Sequence, residues 1–332
     1  MKAILSGLIL LVALQSSATV RTLNSNNPSP GQFTTMASAV AASSNNDTIY
    51  VSGLVGTFSN YGSFSLTKPL TIIGTGHNPS KQNPLVSTFT FIDVGSLASG
   101  TRFIGLNFTN TSFINGNCTY QNCKLTSLVS NTALVSVNMT NCIILSNLSS
   151  FVLSTYSLQN CFISGRISAT SPGLITGNAV NCIFMSSSTS NSCAQNLNGF
   201  LFQNCIFYGI SPVVANTANA VQFQYCLSFL CPDNNFTPVS ATNFVNVNPQ
   251  FTTLTTQAFN YTNNYMLLPG SPAENAGSDG NDLGLYGGPD GAFFRIGGEP
   301  AIPQIIQMNV TNTTVPAGTP LNVNIISTRK VK

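Results

Sequence analysis

Two converging carboxyls, a histidine beside a carboxylate, or clustered thiolates are the side-chain sets behind most hydrolytic and metal-assisted chemistry. Over much of this 332-residue chain the first two are missing. Between Val94 and Pro232 there is no Asp, Glu or His, and the only cations are Arg102, Lys124 and Arg166. No carboxylate pair can form on that stretch. What remains there for acid-base work is a lone Arg or Lys near Tyr120, Tyr156 or Tyr208, and such cations more often sit solvated on an outer face. His77, the single histidine, lies in the turn-rich run Gly74-Thr75-Gly76-His77-Asn78-Pro79, which predicts a solvated turn residue rather than a base. Asp279, Asn281 and Asp282 around Gly280 offer oxygen ligands to calcium, but the run is too short for an EF-hand loop and is turn chemistry first. No residue is therefore assigned a catalytic, cofactor-binding or metal-binding role, and no cofactor is expected.

The nine cysteines carry a different message. Six of them head similar units: Gln121-Asn122-Cys123-Lys124-Leu125, Thr140-Asn141-Cys142-Ile143-Ile144, Gln159-Asn160-Cys161-Phe162-Ile163, Val180-Asn181-Cys182-Ile183-Phe184, Gln203-Asn204-Cys205-Ile206-Phe207 and Gln224-Tyr225-Cys226-Leu227-Ser228. The intervals between these cysteines are 19, 19, 21, 23 and 21 residues, the period of a solenoid. One thiol per coil, without Cys-x-x-Cys pairs, is the spacing of a buried core stack rather than of zinc or an iron-sulfur cluster. Cys118, Cys193 and Cys231 fall outside the stack, and one disulfide among them is left open.

Each unit needs a bend. The position three before the Cys is Tyr120, Met139, Leu158, Ala179, Phe202 or Phe223, and the position two after it is Leu125, Ile144, Ile163, Phe184, Phe207 or Ser228. Strand side chains alternate with period two, so both positions face inward together with the Cys only if the chain turns between them. Asn tolerates the left-handed conformation better than other side chains with a Cβ and supplies that turn. Stacked at ~4.8 Å, Asn lies over Asn, and the amide of Asn160 is expected to bond to Asn141 and Asn181.

On these units the chain resembles the pectate-lyase-like superfamily of right-handed parallel β-helices. The resemblance implies an all-β solenoid with an asparagine ladder. It also implies what an enzyme of that kind would need: acidic side chains to hold calcium plus an Arg or Lys base for elimination, or clustered Asp residues for hydrolysis. The body lacks those acids. Coiling would bring Arg102 and Lys124 about one coil apart, the one internal cationic pair able to serve a lyase.

The ends fit a capped solenoid. Lys2, the apolar run Ala3 to Leu14 and the small residues before Ala18 read as a signal peptide over residues 1–18, too short for a membrane span. Residues 19–45 form an N-terminal cap with a short amphipathic helix over Phe33–Ala42, residues 46–268 the parallel β-helix, and residues 269–332 a closing segment and β tail. Tyr265 to Ala273 and Asp279 to Gly288 are similar to the closing segment of exported β-helix proteins of Bacteroidota-type bacteria, and two strands joined at Pro316-Ala317-Gly318 are expected beyond Pro303.

Charged residues make up 6% of the chain, against about a quarter in ordinary globular proteins. The net charge of +3 has Arg329, Lys330 and Lys332 at one end and leaves no footprint for nucleic acid. Asn-x-Ser/Thr sequons at Asn107, Asn110, Asn117, Asn138, Asn147, Asn235, Asn260, Asn309 and Asn312 follow from Asn and Thr abundance, or become glycan sites in a eukaryotic secretory host. The expected protein is secreted or held at the cell surface. Its expected role is a non-catalytic structural, adhesive or glycan-contacting surface, with an extracellular polysaccharide or another cell-surface protein as partner. The alternative is a divergent polysaccharide lyase drawing on loops around Lys68, Lys81 and Asp93. A dedicated carbohydrate-binding module is less favoured, because without Trp the commonest sugar-stacking platform is missing.

Overall fold

A computed structural model of the chain describes residues 18–25, 32–54, 60–80, 85–131, 134–187, 192–215, 220–233, 236, 241–289, 291 and 294–300, with the backbones of 304–310 and 323–328. Residues 1–17 of the predicted signal peptide, Lys81 and the C-terminal basic residues lie outside them. The fold is the all-β parallel solenoid expected. Ten strands form one sheet, each paired in parallel with the next, from Val20–Leu23 and Thr48–Val51 through Cys118–Gln121, Val135–Thr140 and Ser154–Gln159 to Gln222–Gln224. A second, fourteen-stranded sheet follows each bend.

The bend is made as the repeat predicts. Asn122, Asn141, Asn160, Asn181, Asn204 and Tyr225 all have φ between 49° and 55°. Backbone bonds carry the ladder through them, as in Asn141 N to Gln159 O and Asn160 N to Val180 O, both 3.0 Å. The turn re-phases the alternation, so Tyr120, Met139, Leu158, Ala179, Phe202 and Phe223 are buried with the six stacked cysteines. Aromatic rings stack from coil to coil: Phe202 and Phe223 lie 4.8 Å apart at 8°, Phe184 and Phe207 5.0 Å apart at 12°.

All nine cysteines are free and buried. No disulfide joins Cys118, Cys193 and Cys231, because each is directed into its own layer of the core, where its thiol bonds to a nearby carbonyl. Burial pushes the Cys118 thiol up to about 12 and Cys231 up to about 11, so neither ionises near neutrality.

The first sheet starts earlier than the sequence suggests, inside the segment expected to be only a cap. Val20–Leu23 joins the first sheet ahead of the helix, pairing with Thr48–Val51. The helix is Met36–Ala42 rather than Phe33–Ala42, since Thr35 accepts a bond from Ser38 N and so sets its start, while Phe33 bridges to Leu23. Met36 and Ala39 are buried over the end of the core, and Lys68 donates to the terminal carbonyls of Val40 and Ser43 at 3.2 and 2.6 Å. Arg21 and Asp47, 3.3 Å apart, pin the first strand to the entry coil. The backbones of Gln304–Val310 and Val323–Thr328 pair antiparallel, as expected of the tail, with the connecting turn outside the described residues.

The asparagine amides do something the repeat does not predict. Asn160 Nδ2 donates to Leu285 O and Gly287 O, both at 2.9 Å, instead of to its neighbours Asn141 and Asn181. Asn122 Nδ2 donates to Glu299 O at 3.3 Å, and Asn204 Oδ1 accepts from Ser278 N at 2.9 Å. A C-terminal strap thus runs back along the ladder and offers it backbone partners. Gly288, at φ +71°, passes against Asn181 Nδ2 so closely that a Cβ there would collide with it.

The strap also closes a second core. The residue directly after each stacked cysteine points outward, yet Ile143, Phe162, Ile183, Ile206 and Leu227 are fully buried. Phe251, Tyr265, Ala273, Leu283, Leu285 and Phe294 cover them. Each side chain so covered contributes about 1.5–3 kcal/mol.

Two outcomes are expected. Thiol titration of unreduced protein should show all nine cysteines inert when folded and all nine reactive after denaturation; a shortfall of two would mean a disulfide. Asn160→Val, which loses both strap bonds and forces a branched side chain to φ 49°, should lower stability by about 2–4 kcal/mol in urea denaturation, and Asn160→Gly, which keeps the bend, by clearly less.

Candidate functional site

The body's three cations go to three environments. Arg102 is exposed on the ten-stranded sheet between Thr71 and Thr119. Lys124 stands on the other sheet between Asn107 and Ile143, beyond the bend at Asn122, so the cationic pair expected of a lyase is split between two faces. Its Nζ lies 5.3 Å from the centroid of Tyr261, and burial lowers its pKa. Tyr120 and Tyr156 are core residues, the latter bonded to Ser130 Oγ at 2.9 Å, and burial raises both phenols. Tyr208 is half-buried against Phe229 and Phe251. None of the three supplies a phenol beside a cation.

His77 is not the solvated turn residue its sequence neighbours predict. Only 1% of it is exposed, because the strap lies over it. His77 N donates to Gly297 O at 2.8 Å, Tyr261 Oη donates to His77 O at 2.6 Å, and His77 Nδ1 lies 3.0 Å from the same Oη. The single phenolic hydrogen is directed at the carbonyl, so the imidazole is the donor in the second bond. Burial, followed by the charge of Glu299, raises the Tyr261 phenol. The cluster is a lock that fastens strap to entry coil, with Tyr261 lying between His77 and Lys124.

The other described acids and cations of interest lie elsewhere in the fold. Lys68 caps the helix, and Asp93 stands on the strand Ile92–Val94 beside Phe113. Asp279 accepts from Asn281 N and Nδ2 at 3.2 and 2.9 Å, and Asp282 accepts from Asn275 N at 3.0 Å, so this segment is the turn its composition predicts. Burial raises the Asp279 carboxyl, but the Asn281 bonds outweigh it and leave the pKa lowered. No three His, Cys, Asp or Glu side chains among the described residues are grouped to hold a metal.

Of the body's three cations, Arg166 is the one with a cavity beside it. It lines a cleft of about 480 Å³ formed where coils turn at Leu145–Asn147 and Ser164–Arg166, walled by Ser186 and by Phe259 of the C-terminal region. A second hollow of about 300 Å³ shares Asn147 and Arg166 and continues past Ser149, Ser168 and Gln195 to Phe151. Together they make one groove lined by hydroxyls and amides, with Phe259 lining the first hollow and Phe151 the second. Phe151 is 55% exposed. Arg166 is half-buried; its Nη1 donates to Gln195 Oε1 at 3.2 Å, and its backbone N donates to Asn147 Oδ1 at 3.0 Å. Among the described residues, no Asp, Glu or His lines either hollow. Sequence reasoning kept Arg166 in view but missed its companions, since Phe259 reaches the groove from over ninety positions along the chain.

No protein-family model matches the chain, and no curated protein matches it. Among solved structures, pectin methylesterase from Aspergillus niger is similar over 69% of this chain and 83% of its own, with 14% identity and a TM-score of 0.34.

The lock makes a prediction. Tyr261→Phe, which removes both hydroxyl contacts with His77, should cost about 1–3 kcal/mol. Lys124→Met, which replaces a half-buried amine where the next coil carries Ile143, should be neutral or stabilising in the same urea titration.

Proposed function

We propose that the protein is a non-catalytic, exported β-helix that contacts an extracellular glycan through the groove around Arg166. The observation that carries this is the half-buried guanidinium standing among hydroxyls and amides with no carboxylate beside it. The Arg166 guanidinium bonds to the neutral Gln195 amide, and no described carboxylate lines its groove. Serine, asparagine and glutamine side chains both donate and accept, which suits sugar hydroxyls, and rings at Phe151 and Phe259 suit the apolar faces of a pyranose. The same groove lacks the paired carboxyls of a hydrolase. It also lacks the acids that would hold calcium for elimination.

Titration calorimetry of the mature chain against acidic and neutral oligosaccharides tests this. Binding should occur without new ultraviolet absorbance from unsaturated products at neutral pH, and Arg166→Ala should weaken it about 10- to 100-fold, as loss of a charge-assisted contact does. Steady turnover of a polyuronate, abolished in Arg166→Ala while the fold persists, would establish the lyase alternative instead.

A further inference from the structure

The outer face of the ten-stranded sheet has a regularity that glycan contact at the groove does not use. Thr119, Asn138, Ser157, Asn178, Leu201 and Gln222 are cross-strand partners in a single row. Two residues along each strand a companion row runs from Gln121 to Gln224, with Val180 its one apolar member. None of these side chains is buried, and neither row holds a charge. The nearest charge is Arg102, one strand beyond Thr119. The strap lies over the other sheet, and bonds made on this face run along it: Ser157 Oγ to Asn178 Oδ1 at 3.0 Å, Gln224 Nε2 to Gln222 Oε1 at 2.9 Å.

Exposed sheets of soluble proteins usually carry Lys or Glu, which keep flat faces apart. Six neighbouring strands here carry none. From these observations we infer that this face is the contact of a two-fold dimer with a second copy of the chain, its axis between Ser157 and Asn178. Three arguments select that occupant. A second copy presents the same interstrand spacing, so donors and acceptors stay in step across all six strands, and amide and hydroxyl groups pair with their own kind. An uncharged face calls for an uncharged partner, and the antiparallel two-fold places the two Arg102 side chains at opposite ends, outside the contact. The area fits a reversible contact: the strands are six residues long at the centre of the face and three or four at its ends, and at ~4.8 by ~3.3 Å per residue they outline roughly 440 Å². Two such faces bury on the order of 900 Å², the size of a weak, concentration-dependent association.

The test uses the full mature chain in sedimentation equilibrium across a concentration series. The parent's mass should rise with concentration toward twice that of the monomer. Ser157→Glu sets two carboxylates against each other at the axis and should raise the dimer dissociation constant about 100-fold or more, with circular dichroism and melting unchanged. Mixing Ser157→Glu with Ser157→Lys should restore the dimer mass as a mixed pair. A parent that stays monomeric at every concentration overturns the inference. So does a dimer indifferent to Ser157→Glu, which would place the contact elsewhere. A monomeric parent that binds an insoluble neutral polymer only when Ser157 is intact would assign the face to a foreign partner. None of these outcomes bears on Arg166, so the dimer and the glycan groove stand or fall separately.

Discussion

A single left-handed residue per coil is the constraint on which the rest of this structure depends. With φ near 50° at Asn122, Asn141, Asn160, Asn181, Asn204 and Tyr225, the chain leaves one sheet and enters the next without a loop. That conformation costs little for Asn, and it restores the inward phase of alternation immediately after the turn. The cysteine beside each bend is small enough to sit at the crowded corner of the coil and apolar enough to be buried there. Buried there, it is shielded from reagents in solution.

Bending with one residue has a second effect. It exposes the Asn carboxamide and the following side chain on the outer corner, where neither can be left uncovered if the latter is apolar. The strap resolves both at once. Its carbonyls at Leu285 and Gly287 accept the Asn160 amide hydrogens, and its apolar side chains cover Ile143, Phe162, Ile183, Ile206 and Leu227. At the entry end the same corner position holds Lys124 and then Asn107, which tolerate partial solvation, and there the strap is held by His77 and Tyr261 instead. The solenoid is therefore clamped along its length as well as capped at its N-terminal end.

A chain built this way has little use for charge. Its faces are uncharged stacks of Ser, Thr, Asn and Gln, and its few cations stand out against them. Lys68 is absorbed by a helix terminus and Lys124 by an aromatic ring, which leaves Arg166 in an open groove without an anion. The electrostatics there suit a carboxylated or otherwise electron-rich ligand, as the proposed glycan contact requires.

The sequence alone determined the parallel coils, the bend residue and the inner faces, because each is set within about five residues by backbone preference and alternation. It also held one clue that was passed over: the residue after each stacked cysteine changes from Lys124 to Ile143, Phe162, Ile183, Ile206 and Leu227, which marks where an outer cover begins. What covers it was not legible. The contacts of Asn160 with Leu285 and of His77 with Tyr261 join residues 125 and 184 positions apart, and no local preference encodes such a meeting. His77 was misjudged for that reason, since its turn-forming neighbours describe its backbone while the strap decides its burial. The groove at Arg166 is likewise a product of packing. Its floor comes from coil corners and its wall from Phe259, so only the folded chain brings cation, amides and rings to one place.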